Sequence, residues 1–93
     1  MWEILFTSKA RKQVRKLPQD MQVVLNLLAK EIQQYGPVRT SWPHYGKLKG
    51  RKEVHHCHLN KGKPRYVAVW QVTDTTIKLI EVQYVGTHEK APY

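Results

Sequence analysis

Acidic residues are scarce in this chain. Seven Asp and Glu face sixteen Lys and Arg, a formal charge of +9 over 93 residues. A field of that sign favours a polyanionic partner, whether nucleic acid, an anionic surface or an acidic protein. It exceeds what solubility asks of a small domain. Cysteine is scarcer still. Cys57 stands alone, which excludes an internal disulfide and fits a reducing compartment. No apolar run approaches the roughly 20 residues of a membrane-spanning helix. The opening Met1-Trp2-Glu3-Ile4-Leu5-Phe6 is short and carries an acid where a secretory leader carries bases. The expectation is a cytoplasmic protein with no membrane partner. Nor is there any repeat or low-complexity tract. Hydrophobic content of 41% and charged content of 25% are those of an ordinary folded globule, and the length gives one domain, residues 1–93.

The order of elements can be read from periodicity and punctuation. Trp2 to Phe6 is apolar and β-prone, a first strand. Thr7 or Ser8 caps a helix running to Lys16, with Ala10, Val14 and Leu17 on one face. Lys9, Arg11, Lys12, Arg15 and Lys16 cover the rest of that helix and read as a solvated face. Pro18 is tolerated in a first helical turn, so a second helix starts there. Met21, Val24, Leu25, Leu28 and Ile32 repeat along it at helical spacing, with Val23 and Leu27 widening the stripe, until Gly36 and Pro37 stop it after Tyr35. Residues 36–46 read as a loop. Three strands follow, Glu53–Leu59, Arg65–Val72 and Thr76–Val85, separated by turns at Asn60–Pro64 and Thr73–Thr75. Gly86–Tyr93 is left as a tail. Tyr66 to Trp70 is apolar on both faces, as a central strand is. Two helices ahead of a meander predict an α+β fold, β-α-α-β-β-β, with a helical hairpin on one face of a four-stranded, mainly antiparallel sheet.

Five histidines are many for this length, and three fall within Val54-His55-His56-Cys57-His58. Alternation along a strand places His56 and His58 on one face, with His55, Cys57 and Leu59 on the other. The helix-packed face takes Cys57 and Leu59, which leaves His56 and His58 on the open face. Arg65 opens the next strand, one short loop away. His88 lies just past the last strand, and comes to the same rim if that strand pairs with the central one. Two imidazoles and a guanidinium suit RNA cleavage by the RNA's own 2′-hydroxyl. Histidine serves as base and acid because its pKa lies near neutrality. Arginine, permanently charged and forked, holds the phosphorane. Such a set calls for no carboxylate, metal or other cofactor. In so basic a protein the histidine pKa values are expected to be depressed until a phosphate arrives.

The bland reading of a strand histidine is a polar surface residue, and both readings stand at this level. A metal reading also exists: His56 and His58 at i and i+2, joined by His44, His88 or Cys57. It matches no zinc-finger spacing, and Cys57 points to the other face. The densest basic stretch is Lys47-Leu48-Lys49-Gly50-Arg51-Lys52. With Lys61, Lys63 and Arg65 it sets seven cations against Glu53 alone between positions 47 and 65. Trp42, Tyr45 and Tyr66 are near it in sequence, so a single-stranded RNA surface is expected there.

Four stretches carry a family resemblance: Ile4-Leu5-Phe6-Thr7-Ser8-Lys9-Ala10; Lys47-Leu48-Lys49-Gly50; Cys57-His58-Leu59 with Arg65-Tyr66-Val67; and Gly86-Thr87-His88-Glu89. Through them the whole chain resembles the RelE/ParE superfamily of bacterial toxins, and within it the mRNA-cleaving branch similar to YafQ-type toxins. The resemblance implies a small basic toxin that enters the ribosomal A site, cuts translated mRNA and is neutralised by a cognate antitoxin. It implies that His58 matches a catalytic histidine of the second strand, His88 that of the closing Gly-Thr-His motif, and Arg65 a strand arginine of many relatives. The pattern departs in places. Its histidine before the Leu-Lys-Gly turn falls near Gly46, with His44 two residues earlier. An acid beyond the Cys-His pair is replaced by Lys61 or Gly62. His56 stands where an acid often precedes that pair, and the closing aromatic falls to Tyr93 at a longer spacing. Two other functions remain open: a toxin of the ParE kind that inhibits DNA gyrase without cutting RNA, and a non-catalytic nucleic-acid binder.

Overall fold

A computed structural model describes all residues, 1–93. The chain forms strand β1 (Glu3–Phe6), helices α1 (Ser8–Lys16) and α2 (Gln19–Tyr35), strands β2 (Gly46–Lys47), β3 (Val54–His58), β4 (Tyr66–Asp74) and β5 (Leu79–Thr87), and a 3-10 turn at His88–Lys90. The α+β class and the helical hairpin are as expected. The sheet has five strands rather than four, in the order β1-β5-β4-β3-β2. The extra strand lies in residues read as loop: Gly46 pairs with His56 and Lys47 with His55. All neighbours are antiparallel except β1, which runs parallel to β5 from Glu3↔Leu79 to Phe6↔Val82.

Local chemistry sets the element ends. The Thr7 hydroxyl accepts from Ala10 N at 3.0 Å and caps α1. Gln22 Nε2 donates to the Val14 and Leu17 carbonyls, each at 3.1 Å, which closes the far end of α1 onto α2. Gly36 ends α2 with φ of 100°, and its amide donates to Ile32 O. The last turn lies at 75–78 rather than Thr73–Thr75, because Asp74 Oδ1 accepts from Thr76 N and Ile77 N and organises the bend after itself. β5 therefore starts later than expected and continues through Gly86 and Thr87, residues assigned to the tail.

Both sheet faces are apolar, unequally. Met21, Leu25, Leu28 and Ile32 of α2, with Ala10 and Leu17, pack on Cys57, Leu59, Ala68, Trp70 and Ile80 in the main core. Val23, two residues from Met21 and Leu25 and so about 160° round the helix, and Leu27, one residue and about 100° from Leu28, are exposed instead of widening that line. The opposite face holds a smaller cluster, Val54, Val67, Val69 and Tyr84, with Leu48 and Ala91 packed on it. That face is not left open. The segment around β2 and the C-terminal tail lie across it.

Candidate active site

The sheet register brings distant positions to one end of the molecule. His58 is opposite Val67 across β3 and β4, and Tyr66 is opposite Thr87 across β4 and β5. The end of β3, the start of β4 and the end of β5 therefore meet, and carry His58, Arg65 and His88. The Arg65 carbonyl accepts from His88 N at 2.8 Å, which ties the two backbones together. His56 and His58 share the predicted face, but neither is open. His56 is half-buried and His58 is 6% exposed.

Loops supply the cover. The Pro43 carbonyl accepts from His58 N at 2.8 Å, extending the sheet by one bond. His44 follows with φ of 53°, and its ring stacks on His58 with centroids 4.2 Å apart and planes at 25°. His88 meets the His58 ring edgewise, 5.2 Å between centroids. Tyr93 lies 6.0 Å from His88 and 4.6 Å from His56. Five rings thus form a row: His44, His58, His88, Tyr93, His56. His44, which the resemblance left without a place, is its first member.

Two clefts open on this row. One, of about 340 Å³, is lined by Pro43, His44, His58, Asn60, Lys61 and Arg65. The other, of about 360 Å³, is lined by Lys63, Pro64, Arg65, Thr87, His88 and Glu89. Arg65 belongs to both. Asn60 was read from the sequence only as the start of a turn, not as part of the site. Its amide donates to Pro64 O at 3.1 Å and its side-chain oxygen accepts from Tyr66 N at 2.9 Å, bracing the loop that presents Lys61 and Lys63. An Asn opening a Gly- and Pro-containing turn was the available signal.

The electrostatics favour neutral imidazoles. His58 has its pKa lowered by burial first, then by His44, His88, Arg65 and His56. His56 is lowered by burial, then by His44 and His88. Burial raises the Tyr93 hydroxyl.

The basic residues divide. Lys61, Lys63 and Arg65 line the clefts. Lys47 is held by Glu53, Nζ to Oε1 at 3.0 Å. Lys49, Arg51 and Lys52 are exposed but line neither cleft, because the hairpin turn between β2 and β3 sits at the Val54 end of β3. His58 is at the other end, some four residues or about 13 Å along the strand. Adjacency in sequence placed that run nearer the histidines than the fold does.

His55 and Cys57 face the helices. The Tyr45 hydroxyl and His55 Nδ1 are hydrogen-bonded at 2.7 Å, and the His55 ring lies parallel to Trp70 with centroids 5.9 Å apart. Burial pushes the Cys57 thiol up to about 12. No three His, Cys, Asp or Glu side chains converge as a metal-holding set. No helix is long and apolar enough to cross a membrane.

No family model and no curated protein matches the sequence. Solved structures do match in shape. The isolated Escherichia coli RelE toxin is similar over 99% of this chain and 89% of its own, at 21% identity and a TM-score of 0.76. The intact E. coli RelBE toxin–antitoxin complex matches over 97% of this chain and 100% of the matched chain, at 21% identity and a TM-score of 0.74. An archaeal RelE–RelB complex from Pyrococcus horikoshii matches over 97% and 98%, at 16% identity and a TM-score of 0.73. With TM-scores of 0.73–0.76 over nearly the full length of each chain, this chain has the RelE toxin fold.

Proposed function

We propose that the chain is the toxin of a toxin–antitoxin pair and that it cleaves translated mRNA on the ribosome. The observation that carries this reading is the meeting of His58 and His88, 5.2 Å apart, with Arg65 in the wall of the cleft on either side. The structural neighbours support it, being toxins and toxin–antitoxin complexes by name. So does the excess of positive charge, which suits both RNA and an acidic antitoxin.

The chemistry needs only side chains present. His58, kept neutral by burial and by cationic neighbours, accepts the proton of a ribose 2′-hydroxyl. The freed oxygen attacks the adjacent phosphorus and the bond to the 5′-oxygen breaks. His88, as the general acid, gives a proton to that leaving oxygen. The products are a 2′,3′-cyclic phosphate and a 5′-hydroxyl. Arg65 holds the charge that develops on the phosphorane oxygens. His44 stacks on the base and fixes its plane, while Tyr93 bears on His88 and His56.

The test is a cell-free translation reaction with purified protein and mapped mRNA 5′ ends. New ends should appear only on translating ribosomes, and His58→Ala or His88→Ala should each slow cleavage by about 10²–10⁴. Intact mRNA at high protein concentration would overturn the reading. Inhibition of DNA supercoiling that both variants retain would replace it with a gyrase-directed toxin.

A further inference from the structure

The two clefts do not end at His88. A third, wider groove of about 600 Å³ lies between α1 and the end of β5, and it shares Thr87 and Glu89 with the His88 cleft. That cleft shares Arg65 with the His58 cleft. Through these shared wall residues the three adjoin in turn, a trench in three segments from Lys61 on the β3–β4 loop past Arg65 and His88 to the first helix.

The far reach is cationic and contains an aromatic ring. Lys9, Lys16 and Lys90 line it with half-buried Tyr66, and Glu89 is its one acid. None of the three lysines is in an ion pair. Lys9, Gln13 and Lys16 fall at i, i+4 and i+7 and share a helix face. Gln13 fixes that face to the sheet by accepting from Val85 N at 3.0 Å. Arg11, Lys12 and Arg15 on the same helix are exposed and line no part of the trench. The basic cover of α1, read from sequence as a solvated face, is thus split in two.

We infer that a single RNA strand leaving the histidine cleft continues along this trench, with Lys9, Lys16 and Lys90 on its phosphates and a base against Tyr66. This rests on reading the cleft as an RNA-cutting site. Unpaired cations beside a π-face match a single strand, which offers phosphates and unstacked bases together. An acidic protein segment would use the cations and leave the ring without a partner.

The experiment is fluorescence anisotropy of the purified protein with 2′-O-methylated oligouridine, which has no 2′-hydroxyl to attack. Strands of 12 and 3 nucleotides are titrated over a salt series. In Lys9→Ala/Lys16→Ala/Lys90→Ala, the slope of log affinity on log salt should flatten by about 2 for the long strand, roughly 0.7 per phosphate contact. It should not change for the short strand. The control Arg11→Ala/Lys12→Ala/Arg15→Ala removes equal charge and should keep most of the slope. Equal flattening in both variants would reduce the effect to net charge and overturn the inference. So would an unchanged slope in the trench variant. Weakened binding of poly-glutamate with RNA binding intact would give the trench to a protein partner and overturn it as well. A flattened slope in the trench variant, with no mRNA cleavage in translation, would uphold the RNA path while the nuclease reading alone fails.

Discussion

His44 lies flat on His58, ring centroids 4.2 Å apart and planes at 25°. The two come from different parts of the chain, one from a loop residue with positive φ and one from the end of β3. This contact makes His58 a buried imidazole on a face that would otherwise expose it. His44 lowers the His58 pKa in two ways, by keeping water out and by adding positive charge when protonated.

Removing the cover should therefore be visible in a titration. In His44→Ala both effects vanish, so the His58 pKa rises toward its ordinary 6.5. The acidic limb of the cleavage profile should move up with it, since the base must be neutral to act. His44→Phe keeps the stack and loses the charge, so its shift should be smaller. NMR titration of the ring nitrogens reads this directly. An unmoved His58 titration in His44→Ala would mean that the stack has no part in setting the base.

Stability should depend on pH in a definite direction. His55, His56 and His58 all have pKa values lowered in the folded state, burial being the first cause for each. The unfolded chain then binds protons at a higher pH than the folded one. The stability these groups contribute is fully present above their ordinary 6.5, and it is lost as pH falls through their folded values. Denaturant midpoints should be higher at pH 8 than at pH 5. His55→Gln should reduce that difference, since His55 is 1% exposed. A midpoint indifferent to pH across this range would contradict the buried, neutral state of the three rings.

The elements with strong periodicity are legible in the sequence. The α2 stripe of Met21, Leu25, Leu28 and Ile32, the doubly buried β4 and the alternation of β3 each follow from side-chain type and spacing. β2 was not legible. Gly46 and Lys47 offer no pattern of their own and become a strand because β3 presents backbone groups to them. The row of five rings was legible in part. His58, Arg65 and His88 converge because register carries them together, and register follows from alternation and turn position. The burial of His58 was hidden, since its covers come from a loop and from the residues past β5. Lys47 was read as part of the RNA surface, and its pairing with Glu53 was hidden because it needs a hairpin turn whose course is set by the positive φ of Glu53 and Gly50.

Cys57 should be chemically silent. It is fully buried, and with its thiol pushed up to about 12 the thiolate fraction at pH 8 is roughly one in ten thousand. A thiol reagent should not react with the native protein and should react once after unfolding. Cys57→Ala should keep ribosome-dependent cleavage, because the side chain faces the helices while His56 and His58 face away. Rapid labelling of the native state would show that the helix layer opens.

Gly86 should prove necessary for a steric reason. Any Cβ there would sit 2.7 Å from the Tyr84 hydroxyl oxygen and 3.0 Å from Tyr84 Cζ. That hydroxyl donates to Thr87 O at 2.7 Å, passing across Gly86 to reach the residue that precedes His88. Gly86→Ala must push the ring aside, break the bond and loosen the backbone holding His88. The expected cost is about 1–3 kcal/mol of stability from overpacking, together with slower cleavage. Tyr84→Phe alone should cost about 0.5–1.5 kcal/mol for the lost hydrogen bond. The double variant should cost less than the two single costs added, because the hydroxyl that the new methyl strikes is gone. Denaturant melts of the four proteins measure the coupling. Strict additivity would mean that Gly86 is required for something other than the passage of the Tyr84 hydroxyl.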